Sequence, residues 1–339
     1  MKFDVVGCGA VGSYYGAMLC RAGHDVHFLL RSDYEVVQKD GVLVRSPAGD
    51  FKARPHCAKV PDEIGASDVV LIALKTTANA QFAELLPPLV GPHTAVVTLQ
   101  NGLGNEAQLA RFFPGEQILS GLCFVCLNRT APGVIEHLAH GLIVLGEYGR
   151  RPEPRTYDIA AAFQNAGVTC KVTENLARTH WEKLVWNIPF NGLGVASAAG
   201  CDALLNKPSA INSPLGHCLT TEKLLADVRW EALVSELMDE VIAAANALEL
   251  EVAPSLRDTQ IARTLTMGAY KASTLLDFEL GRPLELESLF LEPLRQAREV
   301  GVPAPRLAAL CTVLQQLDAL RSSRFLFHQP AVKTLTYPR

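Results

Sequence analysis

Along the first half of the chain, short apolar runs alternate with amphipathic stretches. "KFDVVG" leads into a helical pattern that reaches Arg21, and "DVHFLLR", "SDVVLIALK", "TAVVTLQN" and "GLIVLGEYG" follow. Runs that are apolar at successive positions, not only at alternate ones, predict strands covered on both faces, as in a parallel sheet flanked by helices. From about Leu176 the period becomes helical, with helices expected over 176–200, 227–250, 257–280, 284–299 and 305–321. The pattern predicts an α/β protein in which residues 1–175 form a doubly wound parallel sheet and 176–322 an all-α domain. A tail over 323–339 is too polar and proline-punctuated to assign. No internal repeat is present.

In an open parallel sheet, ligands sit beyond the carboxyl ends of the strands. The first such loop is Gly7, Cys8, Gly9, Ala10, Val11 and Gly12, a GxGxxG between a strand and a helix. This arrangement predicts a Rossmann domain. The first glycine makes the turn, the second admits a pyrophosphate, and the third packs helix on strand. The second strand ends in Arg31, where an NAD site would place an acid for the ribose hydroxyl. A guanidinium there suits the 2'-phosphate of NADP(H). A solvated surface arginine is the plain alternative, and Asp33 stands close by. Lys75 and Asn101 close the expected strands "SDVVLIALK" and "TAVVTLQN", where contact with cofactor or substrate is expected.

Composition narrows the partners. A length of 339 residues suits two domains, and 31 Lys+Arg against 35 Asp+Glu give a net charge of -4. That charge offers no basic field for nucleic acid and no polybasic membrane anchor. No apolar run approaches the roughly 20 residues of a membrane span, and the chain begins directly with a strand and no leader. Nine cysteines without regular spacing suit a reducing cytoplasm. Cys123 and Cys126 form a CxxC, but within an apolar strand-like run, so core packing is expected rather than a redox pair or a metal site.

The stretch "HWEKLVWNIPFN" places Lys183, Asn187 and Asn191 four residues apart. Each such step drifts only about 40° around an α-helix, so the three form one polar stripe between apolar flanks. Such a stripe suits a cleft between domains. Pro189 cannot donate a backbone bond and is expected to kink the helix. A positioned ammonium can protonate the alkoxide formed when a carbonyl accepts hydride, and two carboxamides can bind substrate oxygens without adding charge. A lysine snorkelling beside core tryptophans is the bland reading.

Taken together, "GCGAVGS", Arg31, "ALKTTAN", "LQNGLGNE", "WEKLVWN", "STLLDFELGRPLELESL" and "GVPAP" resemble the ketopantoate reductase (2-dehydropantoate 2-reductase) family, from Lys2 to about Leu320. The resemblance implies NADPH-dependent reduction of ketopantoate to pantoate for pantothenate and coenzyme A synthesis. It implies Lys183 as catalytic acid, with Glu285 acting beside it on the substrate hydroxyl. Asn187, Asn191 and Ser273 would bind substrate. The glycine turn, Arg31, Lys75 and Asn101 would hold NADPH, with Asn101 nearest the nicotinamide and the substrate. Pro283 and Arg282 also look like the start of a helix, which makes Glu285 a third-position residue favoured by the helix dipole alone. Tyr270 and Gly192 depart from the residues common in the family. Three alternatives stay open: a paralogue reducing another 2-keto acid, a non-catalytic NADPH sensor, and a dehydrogenase of the 3-hydroxy acid or 6-phosphogluconate type. A homodimer is also open, although no coiled-coil pattern supports one.

Overall fold

The computed structural model describes residues 1–205, 211 and 215–327. The chain divides into two compact units, Met1–Glu182 and Lys183–Arg339.

The first unit is built on ten strands: β1 (Lys2–Val6), β2 (Asp25–Leu29), β3 (Val42–Arg45), β4 (Phe51–Ala53), β5 (His56–Ala58), β6 (Val69–Ile72), β7 (Ala95–Thr98), β8 (Ile118–Ala131), β9 (Val134–Glu147) and β10 (Cys170–Val172). They form one sheet in the order β4-β3-β9-β8-β7-β6-β1-β2-β5, with β10 beside β9. The run β8-β7-β6-β1-β2-β5 is parallel throughout. Every residue of β6 is buried, as expected for a strand covered on both faces.

The sheet is mixed, not wholly parallel as expected. β8 and β9 are antiparallel arms of 14 residues each, and β3–β4 is also antiparallel. The expected strand at "GLIVLGEYG" is only the second half of β9. Its first half and the end of β8 carry polar residues and register shifts, so no continuous apolar run marks them. The arms are joined by Pro132 and Gly133. Proline presets the first turn residue, and Gly133 takes the positive φ of 66° that the second requires.

The second unit is helical. The helix Leu176–Ala196 starts in the first unit and continues unbroken through Pro189. Other helices are Val228–Ala247, Leu256–Leu265, Ser273–Glu279, Glu292–Glu299 and Pro305–Phe327. The single helix expected over 257–280 is therefore two. Gly268 turns the chain with a φ of 62°. Thr221 then takes the interrupted backbone, its Oγ1 donating to the Gly268 carbonyl at 2.9 Å and its amide to the Tyr270 carbonyl at 3.0 Å. Gly192 is set by packing, since a Cβ there would lie 2.5 Å from Leu310 Cδ2. The expected tail at 323–339 lies, beyond Phe327, outside the described residues.

Candidate active site

The glycine turn after β1 is shaped by neighbours on two sides and by space on the third. Gly7 has a φ of 102°, and a Cβ on it would lie 2.3 Å from the Leu74 amide nitrogen at the end of β6. A Cβ on Gly12 would lie 2.3 Å from the Gly7 carbonyl oxygen, whereas one on Gly9 would meet nothing within 4 Å. Gly9 thus leaves its backbone open from outside. The following helix, Ala10–Arg21, has neither an acidic residue in its first turn nor a side-chain cap. Ala10 and Val11 begin it, so its positive end lies at this opening. These features fit the pyrophosphate of a dinucleotide. Cys8 turns inward instead, its Sγ 3.5 Å from the Val5 carbonyl oxygen. Burial pushes its thiol well above the ordinary range, so it stays protonated.

At the end of β2, Arg31 is exposed. Asp33, the acid that could have signalled an NAD ribose site, is only 5% exposed and already engaged. Arg129 binds it through Nη2 and, at 2.9 Å, through Nε, and the Gly133 amide donates to it at 3.1 Å. Burial alone would raise this carboxyl, but the hydrogen bonds from Arg129 and Gly133 outweigh it and lower its pKa. Asp33 thereby ties the β8–β9 turn to the end of β2, leaving Arg31 as the exposed charged side chain there.

Lys75 and Asn101 each lie three residues beyond a strand, after β6 and β7. Lys75 is exposed and Asn101 half-buried. Between their loops lies a group of amides not anticipated from the sequence. Gln100 Nε2 donates to the Leu74 carbonyl at 3.0 Å and to Asn79 Oδ1 at 2.7 Å. Asn79 Nδ2 donates to Asn105 Oδ1 at 3.2 Å, and Asn105 Nδ2 to the Asn101 carbonyl at 3.1 Å. Next along the chain, Glu106 pairs with His180 at 2.9 Å. Both are buried, and although burial raises the Glu106 carboxyl, the charge and hydrogen bond of His180 outweigh this and hold it below its usual range. The signal for these residues was present as uncharged and charged polar positions inside otherwise apolar "LQNGLGNE", but nothing local named their partners.

In the second unit, the helix Leu176–Ala196 carries Lys183, half-buried, with Asn187 at 7% and Asn191 at 3% exposure. Asn191 Oδ1 accepts from Ser273 Oγ at 3.2 Å and from the Thr274 amide at 3.0 Å. The structure therefore joins two candidate substrate residues directly. Trp186 Nε1 donates to Thr264 Oγ1 at 2.9 Å, and its ring lies 6.3 Å from that of Tyr270.

Glu285 requires a correction. It is not a third-position helical residue, because no helix begins at Pro283. The helix Ser273–Glu279 ends with Gly281 at a φ of 67° and the Arg282 amide donating back to the Asp277 carbonyl at 2.8 Å. Arg282 is consumed by that C-terminal motif and, preceding a proline, is held extended. Helical structure resumes as a π-turn over Glu287–Leu291, and the Glu285 carbonyl accepts from the Leu289 amide at 3.4 Å. The π-turn runs into Glu292–Glu299, where Pro293 lacks a donor for an ordinary α-helical bond. Glu285 itself is buried at 5% exposure, while Glu287 is exposed. Glu285 thus stands at the N-terminal boundary of this helical segment, where the helix dipole still favours an acid.

Among the described residues no cluster of three or more His, Cys, Asp or Glu side chains could hold a metal, and no helix is long and apolar enough to cross a membrane. None of the nine cysteines is disulfide-bonded.

A glycine turn that fits a dinucleotide, on a largely parallel sheet, followed along the chain by a helical unit, fits the class of two-unit nicotinamide-dependent oxidoreductases. Within that class the chain belongs to the ketopantoate reductase family. Residues 3–150 match the family described as ketopantoate reductase PanE/ApbA, and residues 213–318 match its C-terminal counterpart. A 2-dehydropantoate 2-reductase of Nostoc sp. is 41% identical, covering 94% of this chain and 95% of its own length. The crystal structure of 2-dehydropantoate 2-reductase from Geobacter metallireducens is 44% identical with a TM-score of 0.84, covering 93% of this chain and 99% of that one. The corresponding structure from Methylococcus capsulatus is 34% identical with a TM-score of 0.83, covering 95% and 98%.

Proposed function

We propose that this protein is a cytoplasmic enzyme that reduces ketopantoate to pantoate with NADPH, serving pantothenate and coenzyme A synthesis. The observation that carries the reading is the relationship over both units to proteins named for this reaction. The absence of disulfides among nine cysteines suits a reducing compartment.

NADPH, when bound, would supply the hydride for reduction of the keto carbon. The Gly7–Gly12 turn holds its pyrophosphate, Arg31 pairs with its 2'-phosphate, and Lys75 and Asn101 complete the grip. Lys183 gives a proton to the carbonyl oxygen as it becomes an alkoxide, which requires an approach of about 3 Å. Glu285 holds the substrate hydroxyl and works with the lysine. Asn187 and Asn191 bind substrate oxygens without adding charge, and Ser273 binds the carboxylate by turning its one hydroxyl proton from Asn191 Oδ1 to the substrate. Asn191 uses its oxygen on Ser273 and Thr274, so its amide N–H groups are the part of it that can meet an anionic substrate.

The test is NADPH consumption by the purified protein with ketopantoate, 2-ketoisovalerate, pyruvate and oxaloacetate, alongside Lys183→Ala. Preference for ketopantoate, lost in the variant, is expected. Preference for another keto acid would replace the substrate, and cofactor binding without turnover on any of them would overturn the enzymatic reading.

A further inference from the structure

Gln100 lies between the two loops that carry Lys75 and Asn101. It is 5% exposed, and its side chain is bonded at both ends: Oε1 accepts from Thr98 Oγ1 at 3.1 Å, while Nε2 reaches the Leu74 carbonyl and Asn79. Leu74 immediately precedes Lys75, and Gln100 immediately precedes Asn101. The bonds from Gln100 to Asn79, from Asn79 to Asn105 and from Asn105 to the Asn101 carbonyl then close a ring through the peptide bond between 100 and 101. One carboxamide therefore ties together the backbone on which both proposed cofactor contacts stand.

The loop needs such a tie. Asn101 is followed by Gly102 and Gly104, with φ of 85° and 84°, and glycines at these angles leave the unbound chain many alternatives. Buried amides that satisfy one another in a low-dielectric interior are stiff, because any departure leaves an unpaired polar group. An ordinary apolar residue at position 100 would fill the same space without joining the loops.

We infer that Gln100 is a positioning residue for NADPH, acting through Lys75 and Asn101 without touching the cofactor. This rests on the proposed assignment of those two residues to the cofactor site. Gln100→Met retains length and burial but removes both N–H donors. NADPH affinity, read by fluorescence titration, is expected to fall about tenfold or more, the effect of losing a buried hydrogen bond. In a background carrying both Lys75→Ala and Asn101→Ala, Gln100→Met should weaken NADPH binding no further, since Gln100 acts through those two residues. Asn79→Ser breaks the same ring from the other loop and should reproduce the loss, so the outcome does not depend on one variant folding.

Unchanged NADPH affinity in folded Gln100→Met and Asn79→Ser would overturn the inference. So would an effect of Gln100→Met that persists in full in the Lys75→Ala/Asn101→Ala background, because a general loss of stability would produce that result. The titration needs no keto acid, so it stands apart from the substrate assignment. If Asn101→Ala and Lys75→Ala bind NADPH normally while Gln100→Met does not, the inference fails together with the cofactor roles of those residues, whatever substrate is turned over.

Discussion

Asn191 and Ser273 meet through one oxygen: Asn191 Oδ1 accepts from the Ser273 hydroxyl at 3.2 Å while also accepting from the Thr274 amide at 3.0 Å. Ser273 opens the helix Ser273–Glu279, whose preceding residue, Ala272, cannot cap it with a side chain. Asn191 therefore supplies from 82 residues away the acceptor that a local cap would usually provide.

Two variants separate the roles of Asn191. Asn191→Ala removes both the acceptor and the amide, and should lose roughly 1–2 kcal/mol of stability, the usual value of a helix cap, along with substrate affinity. Asn191→Asp keeps an oxygen acceptor but places a negative charge beside an anionic substrate. Its thermal midpoint should stay near that of the parent while KM for ketopantoate rises. Thermal melts and steady-state kinetics on the two proteins check this.

Lys183→Ala should lower kcat by about 10²–10⁴-fold, the range for a lost general acid. NADPH affinity by titration should be unchanged. Glu285→Gln, which keeps shape and removes charge, should lower kcat/KM on ketopantoate and leave NADPH binding alone.

Arg31→Ala should weaken NADPH binding by about 10–100-fold, as expected for a charge-assisted hydrogen bond to phosphate, and leave NADH affinity nearly constant. Asp33→Ala should behave differently. It unties the end of β2 from Arg129 and Gly133, so its principal effect should be a lowered thermal midpoint.

Asp4 lies in the middle of β1, fully buried, with neither carboxyl oxygen hydrogen-bonded. Burial pushes its pKa up to about 6 from a usual 3.8. Between those values the folded protein holds a proton that the unfolded chain has released, so stability falls as pH rises through this window, with the loss complete above about pH 6. Two pKa units set an upper bound of roughly 3 kcal/mol. Asp4→Asn should flatten this portion of the stability-versus-pH curve and raise the midpoint at pH values above about 7. Melts across the range compare the two.

The sheet-plus-helices plan was legible because it rests on short-range pattern. Strands buried on both faces must be apolar throughout, and a helix packed on one side repeats roughly every 3.6 residues. The glycine turn was legible for a related reason: contacts within a few residues and at the adjoining strand end exclude a Cβ at Gly7 and Gly12. The long β8–β9 hairpin escaped notice because its polar half lacks either periodicity. The break at Gly268 escaped because apolar spacing carries across a turn whose backbone is satisfied by Thr221, 47 residues earlier.

By itself the sequence determined the sheet-plus-helices plan and the glycine turn, which local sterics and burial write into neighbouring residues, while its motifs taken together carried the resemblance to the family. Only the tertiary structure decided what the polar residues do with one another. It spent Asp33 on Arg129, 96 residues away, joined Asn191 to Ser273, closed the amide ring around Gln100, and placed Glu285 ahead of its helix rather than within it. A buried polar group must find a partner, and which partner depends on the chain segments that packing brings alongside it, not on spacing along the chain.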